Sequence, residues 1–421
     1  MDVTLGKAEG IDIRVSAPAS KSYTHRALIT AALADGRSVI EQPLDAADTA
    51  ITVNGLTRLG IRIDGNRERL VVHGCGGALG CRENTELWMG DSGTSCRLLT
   101  SVALLCGNPV IISGSPRLHE RPIGGLVEPL NSMGGRIRYL GSPGFPPLLI
   151  EGELAGGVVS VENSVSSQYA SSLLLAAPCA RSPVELKLPP GGVSLAYLDV
   201  TVDVMASFGV HVQRRGYERF KVVPAPYRAR KYRVEGDYSS ASYFFAIAAA
   251  CGGRVRVDNL IPESVQGDRG LLEALIEMGC TVSSRGSTIT LESGGRLQGI
   301  ERDMSASPDI VQTLCMVAAT AESPSRFTGI SHLEFKESDR IRAILHVIKT
   351  LGGEAYCEQG AITIRPVPLH GGVIAAGNDH RTAMSAAVLG LAVGGVTITG
   401  AECVSKSFPD FWKILHEVRL A

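Results

Sequence analysis

Residues 309–352 read DIVQTLCMVAATAESPSRFTGISHLEFKESDRIRAILHVIKTLG. The run 310–319 is apolar nearly all round, which predicts a helix buried inside a layer rather than laid on its surface. The run 341–351 mixes charged and apolar positions and predicts a half-exposed helix. It ends in a bulky residue plus glycine, Leu351-Gly352, as a helix stopped by a left-handed glycine does. The same ending recurs at Leu59-Gly60, Met133-Gly134, Phe208-Gly209 and Met278-Gly279, with glycine spacings of 74, 75, 70 and 73. The polar starts of the apolar runs recur too, at Ser20, Asp91, Ser166, Asp237, Asp309 and Asp379, spaced 71, 75, 71, 72 and 70. A period of this kind organises a whole chain. Each copy reads helix, strand, helix, strand, strand. The buried helices fall at 27–33, 98–106, 169–177, 241–250, 310–319 and 383–393, and the last half-exposed helix at 411–420. Six α/β copies fit two domains of three copies each. A 72-residue period is longer than the usual solenoid repeat, which favours closed domains.

Composition narrows the function classes. The chain has 421 residues, enough for two or three domains, with 44% hydrophobic residues to fill their cores. Lys plus Arg is 41 against 42 Asp plus Glu. That balance excludes bulk nucleic-acid or anionic-membrane binding, which needs a basic excess, but not a local basic site. The ten cysteines form no CxxC and no Cys/His cluster with zinc spacing. They read as reduced, mostly buried thiols of a cytoplasmic protein. The first residues show neither a signal peptide nor a transit peptide. The uncharged stretches 98–116 and 382–401 are broken by turn residues, so neither reads as a membrane span.

The starts of the buried helices are polar: Ser20-Lys21-Ser22 with Arg26, Asp91-Ser92-Gly93-Thr94 with Arg97, Ser166-Ser167-Gln168, Asp237, Asp309, and Asp379-His380-Arg381. N-capping accounts for a lone Ser or Asp. It does not account for Lys21, Arg26, Arg97 or Arg381, because a cation at a helix N-terminus opposes the macrodipole. The second helices open with Arg121-Pro122, Lys336 to Arg340, and Lys406 to Asp410, again cationic. Together these groups imply a ligand with several negative charges, held at helix N-termini. Asp309, Glu337, Asp237, Asp379, His380 and Lys21 or Lys336 supply acid and base groups in the same turns. There is no phosphate-binding GxxxxGK[ST] loop, no GxGxxG and no GxSxG. The expectation is electrostatic and acid–base chemistry on anionic substrates, with no covalent nucleophile, metal or cofactor.

These motifs, in this order and spacing from end to end, resemble those of the 5-enolpyruvylshikimate-3-phosphate synthases: Ala19-Ser20-Lys21-Ser22, Ser92-Gly93-Thr94, Glu120-Arg121-Pro122-Ile123, Ser166-Ser167-Gln168, Glu235-Gly236-Asp237, Pro308-Asp309, Lys336-Glu337-Ser338-Asp339-Arg340, Asn378-Asp379-His380-Arg381 and Lys406-Ser407-Phe408-Pro409-Asp410. The resemblance implies two similar α/β domains of three βαβαββ units each, residues 19–235 and residues 1–18 plus 236–421, hinged about a cleft. The first would mainly hold shikimate 3-phosphate, and the second would bring phosphoenolpyruvate and the acid–base residues. The reaction implied is transfer of the enolpyruvyl group of phosphoenolpyruvate to the 5-hydroxyl of shikimate 3-phosphate through a tetrahedral intermediate. Lys21, Ser22, Arg26, Ser166, Ser167, Gln168, Ser194, Tyr197, Asp309, His332 and Lys336 would hold shikimate 3-phosphate. Lys21, Gly93, Thr94, Arg121, Gln168, Arg340, Arg381 and Lys406 would hold phosphoenolpyruvate. Asp309 would be the base for the 5-hydroxyl, helped by Lys336. Glu337 would exchange the proton at C3, with Lys21 and His380 as further proton-handling candidates. The resemblance also implies a monomer, glyphosate as an inhibitor, and no cofactor.

Three positions depart from the family pattern. His332 stands where some members place a substrate-contacting Asn, Asp91 where Asn is frequent, and Leu98 where others have Pro. An Asp91 carboxylate beside a phosphate site would repel it unless it caps its own helix. The sister reaction, transfer to UDP-N-acetylglucosamine, is the first alternative. It typically uses a Cys before the Arg-Pro pair, and residues 113–120 contain none. A non-catalytic or RNA-end-binding relative is the second, and it need not keep Asp309, Glu337 and the full cation set.

Overall fold

The computed structural model describes residues 1–418, and the end of the 411–420 helix lies outside them. The helices are α1 (Lys21–Leu33), α2 (Ala47–Arg58), α3 (Gly93–Ala103), α4 (Gly124–Ser132), α5 (Gln168–Ala176), α6 (Ala196–Ser207), α7 (Tyr238–Cys251), α8 (Gly270–Glu277), α9 (Val311–Ala318), α10 (Arg340–Thr350), α11 (His380–Val393) and α12 (Phe411–Glu417). The chain divides into two compact units: Met1–Pro18 with Glu235–Ala421, and Ala19–Val234. The second crossing thus falls just before Glu235, whose carboxylate accepts hydrogen bonds from Ser264 and from Gln266 Nε2 in the first unit.

In the unit Ala19–Val234, every sheet follows one plan: an edge strand pairs parallel with the strand after a buried helix, and an antiparallel hairpin completes the four. Lys231–Arg233 pairs with Asp35–Glu41, which meets Arg69–Cys75 and then Arg62–Asn66. Thr85–Trp88, Val110–Ser113, Leu148–Gly152 and Gly135–Tyr139 repeat the plan, as do Gly157–Ser160, Val184–Lys187, Arg219–Val222 and Gln213–Arg215. Helices α1, α3 and α5 form the interior, α3 packing on α5 and both α1 and α5 on α6.

The other unit repeats the plan. Ile11–Ser16 lies parallel to Gly253–Asp258, in register from Ile11 with Gly253 to Ser16 with Asp258. Its inward residues alternate with exposed ones, as a half-buried strand requires. Glu301–Asp303 leads the second sheet. In the third, Gly372–Ala375 pairs with Val396–Thr399, and the N-terminal strand Asp2–Leu5 takes the place of a hairpin. Helix α11 is buried from His380 to Leu391 and packs on both α7 and α9.

The glycines that end the second helices are left-handed: φ is +94° at Gly60, +103° at Gly134, +86° at Gly209, +107° at Gly279 and +84° at Gly352. That backbone favours glycine, so the period is a backbone requirement as well as a sequence pattern. An aromatic cluster forms where α12 docks: Phe411 lies 4.9 Å from Trp412, 5.6 Å from Phe408 and 5.7 Å from Tyr243 between ring centroids. This cluster pins the chain just after the turn Ala401–Lys406.

Candidate active site

In the unit that contains the C-terminal half, Asp309 occupies the 3-10 turn Pro308–Ile310 leading into α9. Its carboxylate accepts from Arg340 Nη1 at 2.9 Å and Arg381 Nη2 at 2.7 Å. Arg340, 1% exposed, also donates to Glu337 at 2.7 Å and to Asp379 at 3.2 Å. One guanidinium therefore ties three carboxylates from three parts of the repeat together. The local sequence explains the placement. Asp339 caps α10, accepting from Arg342 N at 3.1 Å, and Asp379 caps α11, accepting from Arg381 N at 2.9 Å. The caps fix where the following arginines begin. Burial alone would raise the Asp309 carboxyl, but Arg381, Arg340 and Lys336 outweigh it and hold it far below the usual carboxylate range. Asp379 is lowered in the same way, burial being overcome by Arg340 and then His380.

His332 sits in the turn Ser331–Phe335, 4% exposed, and neither ring nitrogen has a hydrogen-bond partner among the described residues. Burial first, then Lys336, pushes its imidazole down to about 3, so it is neutral and carries one donor and one acceptor. His380 is 1% exposed, its Nδ1 3.9 Å from Asp379 Oδ1. Lys336 follows the His332 turn directly, and Lys406 ends the turn Ala401–Lys406, which packs on α11.

In the unit Ala19–Val234, Lys21 is the first residue of α1 and its Nζ lies 3.0 Å from Asp48 Oδ2 in the first turn of α2. Gly93 opens α3 against Arg121: a Cβ there would stand 2.5 Å from the guanidinium carbon. Arg121 Nη1 donates to the Asp91 carbonyl at 3.0 Å. Gln168 opens α5, donates to Thr94 Oγ1 at 3.0 Å and accepts from Arg97 at 2.9 Å. Ser166 Oγ accepts from Gln168 N at 3.2 Å, with Ser167 buried beside it. Arg26, 2% exposed, donates to Thr201, Ser171 and the carbonyls of Ser22 and Tyr197. It ties α1 to α5 and α6, with one of its five N–H groups left over. Ser194 has φ +59° and a buried hydroxyl with no partner among the described residues. A left-handed serine beside a site is strain of the kind that clusters at ligand contacts.

The structure revises two sequence inferences. Asp91 does not cap α3: Ser92 does, accepting from Ser95 N at 3.3 Å, while the Asp91 carboxylate accepts from Ser115 Oγ. The cations at helix starts are partly neutralised by the protein's own carboxylates, Lys21 by Asp48, and Arg340 and Arg381 by Asp309. Three residues in these centres do not appear in the sequence reading. Asp48 is one. Asp268, which accepts from Ser239 Oγ, is the second. The third is His25, whose Nδ1 lies 2.7 Å from Thr52 Oγ1, which in turn lies 2.8 Å from Ser95 Oγ. Asp48 and Asp268 both stand where second helices begin, the repeat position of Arg121 and Lys336 to Arg340. That shared position was the signal available for them.

These repeated α/β units set cations, hydroxyls and carboxylates at the starts of buried helices, an arrangement suited to enzymes that bind anionic small molecules. The model of the EPSP synthase (3-phosphoshikimate 1-carboxyvinyltransferase) family matches residues 7–415. A 3-phosphoshikimate 1-carboxyvinyltransferase of Methanoregula boonei is 52% identical over 419 residues, covering 99% of this chain and all of that one. That of Methanoculleus marisnigri is 51% identical over 417 residues, 99% of each. The solved EPSP synthase of Acinetobacter baumannii superposes with a TM-score of 0.84 at 28% identity, over 100% of this chain and 98% of that one. The chain belongs to the EPSP synthase family, and it is a transferase.

Proposed function

We propose residue roles for the reaction that family membership brings with it: the 1-carboxyvinyl group of phosphoenolpyruvate passes to the 5-hydroxyl of shikimate 3-phosphate, and phosphate leaves. The hydroxyl oxygen attacks C2 while C3 gains a proton. The tetrahedral adduct then loses phosphate as C3 returns a proton. Asp309 takes the proton of the 5-hydroxyl, with Lys336 beside it, and Glu337 serves C3. His380 and Lys21 assist in proton handling. Lys21, Gly93, Thr94, Arg121, Gln168, Arg340, Arg381 and Lys406 hold phosphoenolpyruvate. Lys21, Ser22, Arg26, Ser166, Ser167, Gln168, Ser194, Tyr197, His332, Asp309 and Lys336 hold shikimate 3-phosphate.

The observation that carries this reading is the Asp309–Arg340–Arg381 cluster. With both guanidinium groups on it, Asp309 is a poor base. Phosphate and carboxylate groups of a substrate compete for the same guanidiniums. As the arginines turn to the substrate, the proton affinity of Asp309 climbs toward that of an ordinary carboxylate. Substrate binding thus activates the base. A monomer in the cytoplasm, inhibited by glyphosate in competition with phosphoenolpyruvate, completes the proposal. Among the described residues no helix is long and apolar enough to cross a membrane.

The test is phosphate release from phosphoenolpyruvate with each acceptor in turn. Release with shikimate 3-phosphate alone, lost in Asp309→Ala and Lys21→Ala, is expected. Release only with UDP-N-acetylglucosamine would overturn the acceptor and the roles given to Ser166, Ser167 and Gln168.

A further inference from the structure

Asp268 belongs to the turn Gly267–Arg269 that leads into α8, and it is 4% exposed. The turn is fastened on two sides. Toward α7, Ser239 Oγ donates to the Asp268 carboxylate, Gln266 Nε2 donates to the Gly236 carbonyl at 2.8 Å, and Gln266 Oε1 accepts from Tyr238 N at 3.1 Å. Toward the Asp309 turn, Ser307 Oγ donates to the Gly267 carbonyl at 2.7 Å, two residues before Asp309. Asp268 is therefore a fixed, buried carboxyl wedged between the start of α7 and the turn that carries Asp309.

The charged and titratable groups facing it come from every packed element. Helix α7 brings its cap Asp237; Tyr243 of the same helix meets Arg381 instead, its hydroxyl accepting from that guanidinium at 3.4 Å. The turn Pro308–Ile310 brings Asp309, and α11 brings Arg381. Within its own turn, Arg269 is directed to the Pro262 carbonyl at 2.7 Å. On α8, Glu273 is taken by Arg302 at 2.8 Å. Asp309, Arg381 and Asp237 all act on Asp268.

We infer that Asp268 is a positioning residue for the Asp309 centre: by holding or releasing a proton, it sets how much of the Arg381 charge falls on Asp309. Burial first, and the Asp309 charge second, raise the Asp268 carboxyl to about 7, against the opposing pull of Arg381 and the Ser239 hydrogen bond. When Asp268 is neutral, no charge of its own competes with Asp309 for Arg381. When it ionises, a second carboxylate charge acts on Arg381 and on Asp309, so Asp309 holds a proton more readily. The inference deepens the proposed function, because it assigns Asp309 the role of base.

Carboxyl carbon NMR of the full chain labelled at aspartate tests the site without relying on activity. One aspartate is expected to titrate near pH 7, to vanish from that range in Asp268→Asn, to move upward in Ser239→Ala, and to move downward in Asp309→Asn, where the repelling charge is gone. No aspartate titrating above about pH 5 in the native chain, near the ordinary range, or an unchanged midpoint in Asp309→Asn, would overturn the inference even if Asp268→Asn fails to fold. In kinetics, kcat of the native chain at saturating substrates is expected to bend near pH 7, and Asp268→Asn is expected to lose that bend. A variant that keeps the native bend at a lower rate shows a structural role only and refutes the assignment. Failure of the native chain to release phosphate with either acceptor would defeat the proposed reaction while leaving the NMR titration to decide the coupling.

Discussion

Gly93→Ala tests the contact between the start of α3 and Arg121. A Cβ at Gly93 would lie 2.5 Å from Arg121 Cζ and 2.6 Å from each terminal nitrogen. Carbon contacts settle near 3.5 Å, so the guanidinium must retreat by about 1 Å. The obstacle is the far end of a flexible side chain, so Arg121 moves rather than the helix. Its 3.0 Å bond to the Asp91 carbonyl goes with it. A charge-assisted hydrogen bond is worth about 1.5–3 kcal/mol, which converts to a roughly 10- to 150-fold change in an equilibrium. If Arg121 holds phosphoenolpyruvate, KM for that substrate rises about 10- to 100-fold, while KM for shikimate 3-phosphate moves much less. Stability should fall by no more than that bond is worth, offset in part because Ala is the better helix former and the site is helical. Steady-state kinetics in both substrates, with a thermal melt alongside, reads all of this. An unchanged KM for phosphoenolpyruvate would refute the placement of Arg121 on that substrate. A loss of stability well beyond the worth of that one bond would show that α3, not Arg121, gave way.

The other predictions concern buried charges. Asp48→Asn removes the partner of Lys21 where both side chains are largely buried, at 14% and 5% exposure. Breaking such a pair costs about 3–5 kcal/mol, so the denaturant midpoint should fall together with kcat/KM, and an unchanged midpoint would mean that solvent replaces Asp48 without loss. His25 is fully buried, and desolvation first, with Lys21 and Arg26 adding, pushes its imidazole down to about 3 from 6.5. Its neutral folded form is favoured above the unfolded value, and the unfolded chain gains the proton as pH falls below it, so stability is lost from about pH 6.5 downward toward 3. The loss attributable to His25 is about 2 kcal/mol at pH 5. His25→Asn, which keeps a hydrogen bond to Thr52 within reach, should flatten unfolding free energy over that window, and an unaltered slope would assign the acid lability elsewhere.

What the sequence discloses and what it withholds follow from the range of the forces involved. Left-handed glycines and all-apolar helices are local demands, so Gly60, Gly134 or the buried run after Asp237 declare themselves by type and spacing. Cations at helix starts declare themselves by conflict with the macrodipole. The identity of a neutralising partner is a long-range fact: Lys21 meets Asp48 across 27 positions, and Arg381 meets Asp309 across 72. Asp91 illustrates the limit in miniature, since the choice between it and Ser92 as the cap of α3 depends on where Ser115 lies. His25 shows a different one, because a histidine inside an apolar helix looks like any core residue until Thr52 and Ser95 are seen beside it.

The repeat nevertheless carries one rule that joins these cases. The starts of the second helices hold cations in several copies, at Arg121, Arg340 and, before α12, Lys406. In the first and fourth copies the corresponding position is acidic, at Asp48 and Asp268. Each unit thus keeps one buried acid where its first copy's second helix begins. Asp48 is ion-paired with Lys21 at 3.0 Å. Asp268 lies beside a second carboxylate, and its environment favours the proton instead. The difference arises from the neighbours and not from the position: Lys21 pairs directly with Asp48, whereas at Asp268 burial and the Asp309 charge outweigh the pull of Arg381. Exchanging Lys21 for Met should therefore move the Asp48 carboxyl upward, because burial is then opposed by one cation fewer; carboxyl carbon NMR showing no upward movement would refute this.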